Sequence, residues 1–313
     1  MKQSILDFLD YEKKILNRNH DHIMHNKWNL TAFSQFVSFR FGISDFSDCK
    51  FEHVVDFLSH IRETPIQYGP NIWKIRSQNC VAWYSASLRW FFKYWNQLWK
   101  PWMNRGQIPL IPKERKTLDR CRPEEYKVFR NAPFIYEKDQ SIAQRNQLLI
   151  DIPRNTGLRR AEFLRCTFEN FMQPHFQFEV LGKWWYVDGV CFNQKIRDEV
   201  LQYFETVNKI QKIKKENLIF FSLSNHNFWN KMNEKSVNLI FQKYSSKLIR
   251  DWLLQRPITP HMERHSFATN CVLSWLSQQA TTKLMRHRNP TTTLRYYHLN
   301  DERIADQYSK INL

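Results

Sequence analysis

The sequence predicts a mainly α-helical protein with a small β-sheet, divided into two domains. The 313 residues contain only 6 glycines against 24 phenylalanines and 12 tryptophans, a composition that favours helices over a turn-rich β fold. Apolar residues recur at helical spacing along most of the chain, and one short stretch alternates as a strand does. A chain of this length is typical of two domains of ordinary size.

The first domain is predicted to span residues 1–105 and to consist of helices. Its apolar residues fall at helical spacing in successive stretches, for example Ile5, Phe8 and Leu9, then Phe33 and Val37, then Val54, Leu58 and Ile61, then Leu88, Phe91, Phe92 and Trp95. We interpret these stripes as the core of a helical domain.

A basic linker is predicted over residues 106–119. This segment contains Gly106, Pro109 and Pro112 among several lysines and arginines, a composition typical of an extended connection between domains.

The second domain is predicted over residues 120–313. Two amphipathic helices come first, in PEEYKVFRNA and SIAQRNQLLIDI. HFQFEVLGKWWYVDGV alternates and is rich in aromatic residues, so it predicts a small sheet with a turn near Gly182 and Lys183. Further helices are predicted at 194–210, 235–248, 260–275, 278–286 and 290–298, and a C-terminal tail follows from 299.

The charge of the chain indicates an anionic partner. The formal net charge is +17 and the pI is about 9.6, and self-repulsion of this size is relieved by binding an anion. The sequence has no long apolar run and no cleavable signal pattern, which favours nucleic acid over a membrane. Its six cysteines are sparse and form no zinc pair, so we expect reduced thiols in a cytoplasmic protein without a metal site.

Three strings concentrate arginine, histidine and tyrosine: NTGLRRAEFL at 155–164, ITPHMERHSFATN at 258–270, and LMRHRNPTTTLRYYHLN at 284–300. Such residues suit the cutting and rejoining of a phosphodiester. The planar fork of arginine binds a phosphate through two hydrogen bonds. A phenol, with a pKa of about 10, is a good leaving group, so a phosphotyrosyl ester can be attacked again by a DNA hydroxyl.

These strings resemble the conserved boxes of the tyrosine recombinase, or phage integrase, family. The resemblance covers about 120–300 and is looser before that. It implies that Arg159 and Arg264 clamp the scissile phosphate and that Glu162 supports the site. It also implies that His261 accepts the tyrosine proton or hydrogen-bonds the phosphate.

The last box implies that His287 donates a hydrogen bond to a non-bridging oxygen and that Tyr296, nine residues later, is the nucleophile. Lys183 follows a glycine in the predicted hairpin, as the family's general acid does, and would protonate the leaving 5′ oxygen. The product of the attack would be a 3′-phosphotyrosyl bond, which keeps the bond energy, so neither a cofactor nor a metal is required.

Four positions need separate interpretation. Arg286 stands where the family usually has glycine, and it is strained if the position needs a positive φ; we rather expect a differently built helix end or an added phosphate contact. Glu263 replaces the family's leucine in the helix predicted at 260–275, so the face of that helix that carries Glu263 packs differently or meets solvent. Tyr297 adjoins Tyr296 but does not match the spacing from His287. His265 is interpreted as structural.

The resemblance also implies an architecture and an assembly. A helical core-binding (SAM-like) domain and an α/β catalytic domain would form a clamp around double-stranded DNA. The chain would be a simple Xer- or Cre-like recombinase, acting as a homo-tetramer on two DNA sites, or as a hetero-tetramer with a second recombinase, through a Holliday junction. An apolar stripe in the tail, at Ile304, Tyr308 and Ile311, would dock either on its own protomer or on a neighbour.

Three other functions stay open on the sequence alone. One is relaxation of DNA by a type IB topoisomerase-like enzyme, which uses the same catalytic groups and needs no second site. Another is a catalytically inactive or architectural DNA-binding protein of the same fold, which predicts the loss of a catalytic group. The third is a general nucleic-acid-binding protein with chance matches, which would form no covalent adduct.

Overall fold

The computed structural model describes residues 1–66, 72–98, 103–114, 119–182, 186–223 and 230–297. The chain divides into two compact units, Met1–Lys116 and Thr117–Leu313. The described residues are mostly helical with one two-stranded sheet, which confirms the predicted fold class. None of the helices among them is both long and apolar enough to cross a membrane.

The first unit is built from helices α1 Lys2–Lys14, α2 His20–Phe41, α3 Phe51–Glu63 and α4 Gln78–Gln97. Helix α2 begins where the side chain of Asn19 accepts a hydrogen bond from the backbone N–H of His22, and it ends at Gly42, which has a φ of +68°. The predicted apolar stripes form one core, whose centre is aromatic and includes Phe33, Phe46, Phe57, Phe91 and Phe92. Edge-to-face ring contacts add specific geometry to this buried area.

Part of the predicted linker packs against the first unit. A short 3-10 turn at Arg105–Gln107 leads into an extended segment whose Ile108 is buried. Gln78 Nε2 donates to the carbonyl of Pro112 at 2.7 Å, and Asn79 Nδ2 donates to that of Glu114 at 3.3 Å. The start of α4 therefore holds residues 108–114 along the surface of this unit.

The second unit contains most of the predicted elements close to their predicted bounds. Its helices are α5 Pro123–Tyr136, α6 Gln140–Thr156, α7 Arg160–Phe163, α8 Gln194–Ile210, α9 Glu234–Arg250, α10 Pro260–Leu273, α11 Gln278–Leu284 and α12 Thr291–Tyr297. Helices α10 and α11 end two residues before their predicted ends. Trp275 and Arg286, just beyond them, have φ values of +63° and +53°, and this left-handed conformation stops a helix.

The sheet is a single antiparallel hairpin. Strand β1, Gln177–Leu181, pairs with β2, Val187–Cys191, so that Gln177 faces Cys191 and Leu181 faces Val187. Phe178 and Val190 point into the core, as the sequence alternation predicts. Strand β1 ends at Leu181, directly before Gly182, while residues 183–185, which include Lys183 of the predicted turn, lie outside the described residues.

Candidate active site

Gly157 lies between helices α6 and α7, and Arg159, the first of the predicted phosphate-binding arginines, stands directly before α7. Asp139 caps the start of α6 by accepting hydrogen bonds from Ser141 and Ile142, and the helix ends at Gly157, where φ is +61°. A Cβ at Gly157 would lie 2.4 Å from Cδ1 of Phe267, closer than carbon atoms can pack. Glycine is therefore required here both by the positive φ and by the close approach of Phe267. Helix α7 begins shortly after this glycine, at Arg160.

Arg159 is held at the start of α7 by Glu162. Its backbone N–H donates to Glu162 Oε2 at 2.8 Å, and its Nη1 donates to Oε1 at 2.7 Å. Its Nη2 donates to the carbonyl of Arg286 at 2.9 Å. The side chain is still 36% exposed, so the guanidinium is oriented by the protein but accessible to an anion.

Arg264 lies on α10 and is almost fully buried. Its Nη1 donates to the carbonyl of Gly157, and its Nη2 donates to that of Met285 at 2.6 Å. Burial, together with the like charges of Arg159 and Arg286, lowers its pKa to about 9. Among the described residues, no carboxylate lies within 4.0 Å of its guanidinium, so this cation lacks a direct counter-ion.

Glu162 is the carboxylate at the centre of these cations. Burial alone would raise its pKa, but the hydrogen bond from the backbone of Arg159 and the charges of Arg286 and Arg159 outweigh burial and lower the pKa below its ordinary value. One ionised carboxylate thus pairs with two guanidinium groups, those of Arg159 and Arg286, while Arg264 has no carboxylate partner among the described residues, which leaves the cluster with an excess of positive charge.

Arg286 occupies the left-handed conformation that glycine would adopt without strain. Its guanidinium turns inward, where it donates to the carbonyls of Gly157 at 2.6 Å and Leu284 at 2.8 Å and lies 3.4 Å from Glu162. The expectation of a differently built helix end is therefore wrong, because the backbone keeps the positive φ and the arginine is accommodated by buried contacts.

Glu263 does not meet solvent. The carboxylate is completely buried and forms an ion pair of 2.9 Å with Arg154 on α6, so of the two alternatives for this helix face, different packing is the one observed. The guanidinium of Arg154 also lies 3.8 Å from the ring centroid of Tyr126. The pair fastens α10, which carries Arg264, to α6.

Tyr296, on α12, forms a buried cluster with Ala268 and Val272 of α10 and with Met285, and it is 1% exposed. Its ring stacks against that of His287 at a centroid distance of 6.4 Å, and His287 Nδ1 lies 2.9 Å from Thr293 Oγ1. Burial raises the pKa of Tyr296, against an opposing contribution from the charge of Arg264. Burial and the charges of Arg264 and Arg159 lower the pKa of His287 to about 3, so its imidazole is neutral.

Tyr297 faces a different set of groups. Its hydroxyl donates to the carbonyl of Leu276 at 2.6 Å and lies 2.9 Å from Thr281 Oγ1. The two adjacent tyrosines are thus distinguished by geometry, since only Tyr296 lies among the predicted histidines.

His265, which the sequence interpretation assigns a structural role, contacts the predicted nucleophile. Its Nδ1 lies 2.6 Å from the hydroxyl oxygen of Tyr296, and its ring centroid lies 4.7 Å from that of His261. The side chain of His261 is exposed. Partial desolvation by the surrounding protein atoms and the charge of Arg264 lower its pKa. The spacing of four residues between the two histidines, which places both on one face of a helix, is the signal that could have found His265.

A cavity of about 530 Å³ opens beside the cluster. It is lined by the cationic side chains of Lys283, Arg286 and Arg288 and by the neutral imidazole of His287. Arg288 also pairs with Asp188 on β2 at 3.2 Å. Lys183, the predicted general acid, lies outside the described residues, although both strands of its hairpin are described. The described part of the site can thus hold an anion beside a buried tyrosine.

The chain matches known proteins over most of its length. A family model described as the phage integrase family matches residues 123–303, more than half of the chain. Tyrosine recombinase XerC of Natranaerobius thermophilus is 22% identical over 99% of this chain and 98% of its own length. Tyrosine recombinase XerD of Listeria innocua is 25% identical over 76% of this chain and 77% of its own.

Two solved structures show the same fold. XerH site-specific recombinase bound to palindromic difH substrate superposes with a TM-score of 0.71 at 18% identity, covering 92% of this chain and 79% of that one. The Tn1549 transposon integrase in complex with transposon right end DNA gives a TM-score of 0.68 at 18% identity, covering 94% of each chain. On this sequence match, the chain belongs to the phage integrase family.

Proposed function

We propose that the protein is a site-specific DNA recombinase in which Tyr296 attacks a phosphodiester and forms a 3′-phosphotyrosyl bond. The observation that carries this proposal is the position of Tyr296 within the same unit as Arg159 and Arg264. Both arginines donate hydrogen bonds to the Met285–Arg286 backbone, just before the helix that carries this tyrosine.

The two arginines supply the charge that the reaction needs. The non-bridging oxygens of the phosphate gain negative charge during attack, and fixed cations stabilise that charge without reorganising. Arg159 is accessible and Arg264 lacks a direct counter-ion, so both are suited to clamp the phosphate, with Glu162 holding Arg159 in place. Two cationic arginine side chains supply this charge without a metal ion.

The remaining roles follow the family pattern. His287 would donate a hydrogen bond to a non-bridging oxygen, and His261 would bind the phosphate. Lys183 would protonate the leaving 5′ oxygen from the hairpin. Each of these assignments is a proposal that a single substitution can test.

DNA is the proposed partner. The structurally similar XerH recombinase and Tn1549 integrase are bound to DNA, and a net charge of +17 suits a polyanion. We further propose that residues 1–105 form the core-binding domain and 120–313 the catalytic domain of a clamp, and that four protomers exchange strands through a Holliday junction. The second recombinase of a hetero-tetramer and the docking of the tail from 299 stay predictions.

The recombinase is favoured over the other candidate functions. Relatives that match nearly the whole chain are named tyrosine recombinases. The described part of the chain also keeps the arginines, histidines and tyrosine that an inactive DNA-binding descendant would be free to lose. A relaxase would form the same adduct, but its product would not depend on a second DNA site.

Covalent trapping tests the proposal. The protein is incubated with a pool of duplexes that carry random sequence and a nick, quenched with detergent, and the DNA that remains attached to protein is sequenced. An enriched sequence identifies the site, and joining of two such duplexes demonstrates recombination. Salt-sensitive DNA binding without any adduct would favour the inactive DNA-binding protein instead.

A further inference from the structure

The hydroxyl of Tyr296 contacts one imidazole among the described residues. His265 Nδ1 lies 2.6 Å from it, within hydrogen-bond distance, whereas His287 lies alongside the ring and bonds to Thr293. Tyr296 is 1% exposed, so bulk water does not reach the hydroxyl in this conformation. A tyrosine that attacks a phosphate loses its proton, and at this site that proton passes to a protein group.

We propose that His265 is the proton acceptor for Tyr296 during DNA cleavage and returns the proton when the strand is rejoined. This inference rests on the proposed function, because it assigns a partner to the same nucleophile. It replaces His261 in the role that the family resemblance left open between proton transfer and phosphate binding.

The environment of His265 keeps the imidazole neutral and ready to accept. Burial lowers its pKa to about 4, and the charges of three neighbours on α10 and α12, His261, Arg264 and Arg295, act in the same direction. Asp119, in the segment before α5, acts in the opposite direction. With its proton on Nε2, the neutral ring presents the Nδ1 lone pair to the tyrosine hydroxyl.

The step balances without any further reactant. The O–H bond of Tyr296 breaks as its proton moves to Nδ1 of His265, and the phenolic oxygen forms the bond to phosphorus. The bond from phosphorus to the 5′ oxygen breaks, and that oxygen takes a proton from Lys183 in the proposed mechanism. The anionic phosphate favours the imidazolium formed on His265, and rejoining runs the same transfers in reverse.

His261 is less suited to accept this proton directly. It lies one helical turn before His265, with the ring centroids 4.7 Å apart, and it is exposed. Its position allows it to pass a proton between His265 and solvent, or to bind the phosphate, without contacting Tyr296.

The test is the single-turnover rate of adduct formation on the duplex recovered by trapping, measured from about pH 5 to about pH 9. In His265→Asn, the amide can accept a hydrogen bond near the Nδ1 position but cannot take up a proton. We expect this variant to form the adduct about 10²- to 10⁴-fold more slowly throughout this range, because an imidazole with a pKa of about 4 is neutral and able to accept a proton at every pH in it. Added imidazole should restore part of the rate to His265→Ala. His175→Asn, at an exposed position in the same unit, serves as the control.

Three outcomes separate the inference from the proposed function. A wild-type rate and pH profile in His265→Asn would overturn the inference, and so would faster cleavage by His265→Ala, which would make the contact a restraint on Tyr296. An adduct that survives Tyr296→Phe would overturn the proposed function itself. DNA binding by each variant, measured in parallel, shows that the loss of rate is not a loss of folding.

Discussion

The guanidinium of Arg286 donates a hydrogen bond of 2.6 Å to the carbonyl of Gly157, and both residues have positive φ values. The contact joins two helix ends that are 129 residues apart in sequence. Arg159, next to the first helix end, donates in turn to the carbonyl of Arg286. Arg264 donates to carbonyls at both helix ends, those of Gly157 and Met285. The two left-handed turns and the three arginines therefore form one hydrogen-bonded unit that positions the proposed phosphate clamp.

Replacing Arg286 separates backbone strain from side-chain contacts. Both Arg286→Gly and Arg286→Ala lose the buried hydrogen bonds, but only alanine keeps the cost of a left-handed conformation. We expect Arg286→Gly to be the more stable of the two by about 1 kcal/mol in urea unfolding. Equal stability of the two variants would show that the positive φ at this position is relaxed without cost.

Gly157→Ala should be strongly destabilising. The added methyl group would meet the ring of Phe267 and would adopt a positive φ, so we expect a loss of about 2–4 kcal/mol of unfolding free energy. Gly189→Ala is the matched control, because a Cβ there has no atom within 4 Å. If the two substitutions cost the same, the close approach of Gly157 to Phe267 does not constrain the protein.

Breaking the buried ion pair should cost more than breaking an exposed one. Glu263→Ala leaves the guanidinium of Arg154 buried without its carboxylate, and we expect a loss of about 3–5 kcal/mol in urea unfolding. Asp10→Ala removes the exposed pair with Lys14 and should cost less than about 1 kcal/mol.

A double variant tests the same pair from the other side. In Glu263→Leu with Arg154→Leu, neither charge is left unpaired, so most of the lost stability should return. Glu263→Leu and Arg154→Leu are measured singly beside it. If the double variant loses as much unfolding free energy as these two single variants together, the two side chains act independently.

Elements with a local cause were predictable from the sequence. Apolar spacing predicted the helices of both units, and alternation predicted the hairpin, because burial of one face dictates both patterns. The order and spacing of Arg159, Arg264, His287 and Tyr296 predicted which residues the second unit brings together. Only the family resemblance, however, assigned roles to them.

Features that depend on distant partners were not predictable. Glu263 is buried because Arg154, 109 residues away, supplies the opposite charge. Arg286 has a positive φ, and the hydrogen bond from its side chain to the carbonyl of Gly157 offsets the cost of that conformation. The spacing from His261 places His265 on the same helix face, but its contact with the hydroxyl of Tyr296 joins residues 31 positions apart and has no local cause.

Acidification should destabilise the second unit through two histidines. The pKa of His287 is lowered to about 3 and that of His265 to about 4 in the folded protein, whereas both return to about 6.5 on unfolding. Between these values the unfolded chain binds more protons, so the unfolding free energy falls as the pH falls from 6.5. Each histidine contributes up to about 1.4 kcal/mol per pH unit.

The measurement is the urea unfolding free energy between about pH 6.5 and about pH 5, above the range in which most carboxylates titrate. His287→Asn should lower the slope with pH, while His175→Asn should leave it unchanged. A slope that stays the same in His287→Asn would mean that the pKa of this imidazole is not lowered in the folded protein.

The central claim is that Tyr296, and not the adjacent Tyr297, carries the DNA. The most direct measurement is to digest the trapped protein–DNA adduct and identify the modified residue by mass spectrometry, with Tyr296→Phe and Tyr297→Phe alongside. We predict a nucleotide on Tyr296, no adduct from Tyr296→Phe, and an adduct from Tyr297→Phe. A nucleotide on Tyr297, or an adduct that persists in Tyr296→Phe, would contradict the account.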